Sequence, residues 1–282
     1  MPTGRPINDN IKCNVVNTYL SRPMTIAQCA SICGLSNPTV IKILDEYNVE
    51  RYKKARLFSP DLDEYYFCDI DNEHKAYWIG FLITDGNIFI PEKNGQASIS
   101  ITQNENRSYI LQAFLDDIKS STRIAQDGRG TCMAAVRSDI MANDLLKYGI
   151  TPSKTLNTFL PILEEKYMSH LIRGILDGDG SVTSTITSRN KHKHAFSFCG
   201  THRLMEDIGL YISHAIGISH PKTYDYSDRH LSEIKWQSIS DCETLGGWLY
   251  KDATIYLQDK KDKFDDFLKH YKHGNTEVIN TI

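Results

Sequence analysis

The sequence predicts an α+β protein: a pseudo-twofold pair of αββαββα repeats, preceded by a small all-α helix-turn-helix. Three observations carry this expectation. Two apolar segments that end in Asp-Gly, Ala76–Ile88 and His170–Val182, stand in matching context. Each is followed by the same alternation of strand pairs and helices. Before both, residues 25–48 read as helix, glycine turn, helix.

A chain of 282 residues is long enough for one large domain or two modest ones with a real core. Hydrophobic residues make up 40% and charged residues 24%, the balance of an ordinary globular protein. No apolar run approaches the ~20 residues needed to span a bilayer, and MPTGRPINDN at the start has no apolar leader core. Seven cysteines (Cys13, Cys29, Cys33, Cys68, Cys132, Cys199 and Cys242) are scattered without a CxxC pair. Reduced, buried thiols in a cytoplasmic setting, bacterial or phage-encoded, are expected. Cys29 and Cys33 are four apart but lack a second pair at zinc spacing. The net charge of −3 gives no overall basic excess. Any polyanion contact must therefore come from where individual Lys and Arg residues sit.

The first element is residues 1–50. Thr25 followed by Gln28 forms a capping-box pattern. Ile26, Ala27, Ala30 and Ile32 supply an expected apolar stripe, and Gly34 breaks the helix. Ser36 offers an N-cap with Pro38 in the first turn, and Val40, Ile41 and Leu44 are the expected buried face of the next helix. This spacing resembles a helix-turn-helix DNA module, whose second helix would present Asn37, Thr39 and Lys42 to base edges or phosphates. The other reading is a plain αα-hairpin packed on the rest of the chain. Residues 51–73 pass from a basic cluster (Arg51, Lys53, Lys54, Arg56) to an acidic, aromatic stretch and read as a linker.

Two repeats follow, 74–165 and 166–273, with a flexible tail expected at 274–282. In the first, strands are expected at Asn87–Pro91, Ala97–Thr102, Thr122–Gln126 and Thr131–Val136. Helices fall at Glu105–Lys119 and Ser138–Tyr148, with Gly149 as the stop. In the second, strands fall at Ser181–Ile186, His194–Cys199, Lys222–Tyr226 and Ser232–Ser238. Its helices are Thr201–Ala215, Asp241–Tyr250 and a last one at Asp262–Tyr271.

The two Asp-Gly segments carry the chemistry. Both are apolar nearly all round, so both should be buried between other layers. Each has a glycine six residues before its final glycine, Gly80 and Gly174. Glycine inside a helix costs about 1 kcal/mol relative to alanine, and a matched pair implies two backbones in close approach. Asp85 and Asp179, 94 residues apart, each sit at a helix C-terminus. A carboxylate there is disfavoured by about 0.3–1 kcal/mol. A divalent cation shared by both would compensate.

Trp78-Ile79-Gly80-Phe81-Leu82-Ile83-Thr84-Asp85-Gly86 and Ile172-Arg173-Gly174-Ile175-Leu176-Asp177-Gly178-Asp179-Gly180 resemble the LAGLIDADG motif of homing endonucleases. The first departs at its sixth position, where Ile83 replaces an acidic residue. The resemblance spans Glu73–Phe267. It implies a saddle of two antiparallel sheets over double-stranded DNA, with the motif helices at its centre. It implies metal-binding carboxylates at Asp85 and Asp179, with backbone carbonyls of Thr84 and Gly178 beside them. The implied cofactor is Mg2+, two or more ions, with Mn2+ able to substitute. The implied reaction is hydrolysis of one phosphodiester in each strand of a long, largely asymmetric target, by a monomer with no obligate protein partner.

The resemblance further implies a water-positioning Gln103, a phosphate-contacting Arg107 and one lysine per centre, Lys154 and Lys260. Gly200 stands where a second glutamine would be, and Asp259 where relatives often have Arg. The loop from Ser188 to His194, with Arg189, Lys191 and Lys193, is the most basic in the chain, and Lys222 and Lys235 lie on strands expected to face DNA. Two other readings stay open: a DNA-binding regulator that does not cleave, and an RNA-splicing maturase.

Overall fold

The computed structural model describes residues 7–21, 24–49, 51, 61–92, 95–152, 158–186, 192–226 and 231–271, together with the backbone of 272–279. Its first three helices are α1 (Asp9–Ser21), α2 (Ile26–Cys33) and α3 (Asn37–Glu46). They share a core of their own: Val15, Tyr19, Met24, Cys29, Ala30, Val40, Ile43 and Leu44. Thr25 makes the full capping box with Gln28, and Gly34 ends α2 at φ 65°. Three details differ from the pattern read in the sequence. The buried face of α2 runs through Cys29 and Ala30, and Ile32 is 55% exposed. On α3 it is Ile43, not Ile41, that joins Val40 and Leu44 inside. Ser36 takes the extended N-cap backbone, but its hydroxyl bonds the Thr39 hydroxyl at 2.8 Å instead of an amide.

Residues 52–60 of the expected linker lie outside the described residues. The stretch after them packs on the following repeat: Leu62, Tyr66 and Phe67 belong to the main core, and the buried Glu64 accepts a hydrogen bond from Ser138 at 2.8 Å.

The rest is two copies of one plan. In the first, α4 (Glu73–Thr84) leads into β1 (Gly86–Phe89) and β2 (Ser98–Asn104). A short 3-10 turn (Glu105–Arg107) then opens α5 (Ser108–Asp117), followed by β3 (Ala125–Gln126), β4 (Thr131–Arg137) and α6 (Asp139–Lys147). In the second, α7 (Glu165–Asp179) leads into β5 (Ser181–Ile186), β6 (His192–Gly200), α8 (His202–Ile216), β7 (Tyr224–Tyr226), β8 (Leu231–Trp236) and α9 (Ile239–Tyr250). Both sheets are antiparallel, in order β1-β2-β4-β3 and β5-β6-β8-β7. Along β2 the burial alternates strictly, with Ile99, Ile101 and Gln103 turned inward, as a half-buried strand requires. The last helix, α10 (Gln258–Ile279), is longer at both ends than the 262–271 read from the sequence. β3 is two residues, because Thr122–Ile124 bond into no ladder, and Lys222 lies just ahead of β7 rather than on it.

One continuous core joins the copies, and its centre is the α4–α7 pair. Eight successive α4 residues, Ala76 to Ile83, are buried. Helix α7 is buried as fully, but not by apolar residues alone, since Arg173 and Asp177 are both 0% exposed.

Candidate functional site

Gly80 and Gly174 are where α4 and α7 cross. A methyl group on Gly80 would fall 1.9 Å from the Leu171 carbonyl oxygen, and one on Gly174 2.1 Å from that of Tyr77. Neither position tolerates a side chain, because the obstacle is backbone. The contact continues to the helix ends, where a Cβ on Gly178 would lie 1.7 Å from Thr84 Oγ1. Thr84 and Gly178 each immediately precede an aspartate. Asp85 and Asp179 therefore each follow directly on the point where the two helix ends touch. The turns that follow are built alike: a Cβ on Gly86 or Gly180 would lie 2.6 Å from the carbonyl of Leu82 or Leu176 respectively.

Around this shared geometry the polar groups differ. Asp85 caps α4 and is half-buried, and its Oδ2 accepts a hydrogen bond from Gln103 Nε2. Gln103 is 8% exposed, on the inward face of β2. Asp179 is exposed. In its sheet Gly180 neighbours the Ser181–Ser197 pair as Gly86 pairs Ile101, which makes Gly200 the register match of Gln103.

Lys260, at the start of α10, is buried at 5% exposure. Its ammonium donates to the carbonyls of Leu176 (2.6 Å), Asp177 (2.7 Å) and Gly180 (2.8 Å). An ammonium has three donors and no acceptor, so all three are committed. Lys260 thus holds the C-terminal end of α7, where the helix dipole favours a cation, instead of reaching into open space. Burial pulls its pKa down to about 8, against the opposing pull of Asp177.

Asp177 itself was not among the residues singled out from the sequence. It is fully buried, and its Oδ2 accepts from Tyr77 Oη at 3.0 Å and the Leu257 amide at 2.7 Å. Burial pushes its pKa up to about 6. Arg107 pairs with Asp259 at 2.7 Å, tying the first repeat to the start of α10. Tyr109 Oη strengthens that joint by accepting from the Gln258 amide at 2.8 Å.

A second polar network, farther back along the helices, was also missed. Arg173 donates to Glu73 (2.7 Å) and to the carbonyls of Leu249 (2.7 Å) and Ile255 (3.0 Å). Burial alone would raise the Glu73 carboxyl, but hydrogen bonds from Thr254 and the Arg173 charge bring it below its ordinary value. The signal available in the sequence was an arginine inside an otherwise apolar helix.

The remaining sequence-derived positions are spread along the molecule. Asn37 and Lys42 are exposed on α3, and Thr39 is half-buried. Lys193 is exposed on β6 opposite Thr185, and Lys235 is exposed on β8 opposite Ser197. The Lys222 ammonium lies 5.3 Å from the centre of the Tyr224 ring. Lys154, Arg189 and Lys191 lie outside the described residues. Among the described residues no group of three or more His, Cys, Asp or Glu forms a ready-made metal centre. The helix ends instead offer two carboxylates with main-chain carbonyls beside them, an all-oxygen donor set suited to a hard divalent cation that takes further ligands from a substrate.

No protein-family model matches the sequence, nor does any curated protein sequence. Solved structures do match. The LAGLIDADG homing endonuclease I-GzeII in complex with its DNA target is 15% identical at a TM-score of 0.55, over 74% of this chain and 92% of that one. Meganuclease I-SmaMI bound to uncleaveable DNA is 14% identical at 0.54, over 76% and 93%. LAGLIDADG meganuclease I-AabMI bound to uncleaved DNA is 14% identical at 0.54, over 73% and 92%. This chain therefore has the fold of the LAGLIDADG homing endonucleases, with two pseudo-symmetric repeats in a single polypeptide.

Proposed function

We propose that this protein is a site-specific DNA endonuclease that hydrolyses one phosphodiester in each strand of a long, largely asymmetric duplex, with Mg2+ as its metal. The observation that carries the reading is the pair of aspartates borne on helix ends that touch at Thr84 and Gly178. Asp85 and Asp179, with the carbonyls of Thr84 and Gly178, would hold the ions. Divalent ions bound there would activate water and neutralise charge on the phosphate. Gln103 orients the Asp85 carboxylate. Lys260 keeps the end of α7, and so Asp179, in place. Lys193, Lys222 and Lys235 supply phosphate contacts from the second sheet, and Arg107 sits beside the centre already paired to Asp259. Helices α2 and α3 have the order and turn of a helix-turn-helix, and we assign Asn37 and Lys42 to a further DNA contact outside the saddle.

Duplexes selected from a randomised library in Ca2+, then exposed to Mg2+, test this reading. Cleavage of both strands is expected. Asp85→Asn and Asp179→Asn should each lower double-strand cleavage at least ~100-fold while keeping Ca2+-supported binding. Undiminished cutting by either variant would end the assignment. Removing residues 1–50 should shorten the protected footprint. An unchanged footprint would make those helices a packing unit only.

A further inference from the structure

The outward faces of the two sheets are built on the same ladders but carry different side chains. On β4 the inward residues are Cys132, Ala134 and Val136, so Met133 and Ala135 lie on the outward face. On β8 the buried Ser232, Ile234 and Trp236 leave Glu233 and Lys235 outward. The registers match these residues one to one. Thr102 faces Met133 where Cys199 faces Glu233, and Ser100 faces Ala135 where Ser197 faces Lys235. On the edge strand, Ala125 faces Met133 where Tyr224 faces Glu233. A thioether in the first sheet is thus replaced by a carboxylate in the second.

That carboxylate is oriented from within its own sheet. Tyr226 Oη donates to Glu233 Oε2 at 3.0 Å, the diagonal contact that neighbouring strands permit. A carboxylate has about four acceptor sites, so capacity remains for an incoming donor. The Cys199 thiol, on the strand beside Glu233, feels the charges of both Asp179 and Glu233. Glu233 therefore lies toward the α7 end of the sheet and not at its outer rim.

A carboxylate on a face offered to a polyanion is repelled by every phosphate. Lys193, Lys222 and Lys235 can meet the backbone from this side, whereas Glu233 cannot. An acceptor-only group gains from duplex DNA where a base edge presents a donor. In the major groove those donors are the amino groups of cytosine N4 and adenine N6. The adenine amino group is flanked on both sides by acceptors, its own N7 and the thymine O4, and these repel a carboxylate. The cytosine amino group has an acceptor on one side only, the guanine O6.

Resting on the endonuclease reading, we propose that Glu233, oriented by Tyr226, is a specificity-determining residue that selects cytosine, accepting from its N4 amino group in the half-site beneath the second sheet. Met133, at the matched place in the first sheet, has only a weakly accepting sulfur, so the demand for cytosine belongs to one half of the target.

The test reads base preference apart from cleavage. A randomised duplex library is selected in Ca2+ by the parent, Glu233→Gln, Glu233→Ala and Tyr226→Phe, and the bound fractions are sequenced. In the parent, a position in one half-site should favour cytosine roughly tenfold over any other base. Glutamine pairs a donor with an acceptor, the bidentate match to adenine N6 and N7, so Glu233→Gln should move that preference to adenine. Glu233→Ala should flatten the same position, and Tyr226→Phe should narrow the cytosine lead to roughly threefold. Preferences retained at every other position would show that the variants fold and dock as the parent does. If Glu233 only braces β7, its variants will select the parent's sequence unchanged. If it binds metal instead, Glu233→Gln will select the parent's sequence but lose Mg2+ cleavage of it. Either result would overturn the inference and leave the endonuclease reading standing. A parent that enriches no sequence would remove both.

Discussion

The ends of α4 and α7 solve the same packing problem with different chemistry. Both helices give up a side chain at the crossing, both stop at Asp-Gly, and both feed a strand by the same tight turn. Next to that shared frame, α4 places Ile83 in the apolar core where α7 places Asp177. The acidic residue brings a dependent set: Tyr77 Oη, the Leu257 amide and the buried Lys260 ammonium. Backbone proximity leaves no freedom at the glycines, so the two halves must agree there. The polar groups beside them answer to local electrostatics, so each half can settle its own. Symmetry in this protein is a property of close packing, and asymmetry is a property of charge.

The most damaging way to probe the shared part is to add one methyl group at the crossing. Gly80→Ala and Gly174→Ala should each cost about 3 kcal/mol or more, since the obstacle is a carbonyl oxygen and not a movable side chain. Urea unfolding should return similar losses for both. A loss below ~1 kcal/mol for either one would break the claim that the halves are constrained alike.

Next in size is Lys260→Met, which keeps the stem but strips three carbonyls of α7 of their donor and leaves Asp177 without its neighbouring cation. A destabilisation of about 2–4 kcal/mol is expected. At the position matched to Asp177, Ile83→Val should cost only about 1 kcal/mol. Equal costs for the two would erase the asymmetry in stability.

A further effect is in pH dependence. Burial raises the Asp177 pKa to about 6, above the usual carboxylate value of 3.8. The folded state then holds a proton that the unfolded chain has released. That contribution is complete below about pH 4 and is lost as pH rises through 6. Between pH 4 and 6 the parent should lose stability relative to Asp177→Asn, read by urea midpoints at each pH. A difference that does not change with pH would mean Asp177 titrates normally despite its burial.

The halves also show what can be read from residues alone. The matched glycines and Asp-Gly ends were legible because a glycine in an apolar helix has few explanations, and two in matching context have fewer. In the first copy the strand Ser98–Asn104 was legible from alternation. Gln103 could be singled out only through family resemblance, and its place beside Asp85 depends on the β1–β2 register. The roles of Lys260 and Arg107 were not legible, because their partners, the end of α7 and Asp259, are distant in sequence. Asp177 and Arg173 were hidden for another reason. A helix that buries a charge looks amphipathic or merely apolar until the groups that satisfy the charge are located, and here those come from residues 249–260 and from Glu73 and Tyr77 on α4.

The proposed function requires the Asp85 and Asp179 carboxylates to bind divalent ions between the ends of α4 and α7. Anomalous diffraction from crystals of the protein with its selected duplex, grown in Mn2+, addresses it most directly. The expected result is an Mn2+ peak between the ends of α4 and α7, with oxygens of both Asp85 and Asp179 about 2.2 Å from bound ions. Ions bound elsewhere, with either aspartate left out of their ligand shell, would contradict it.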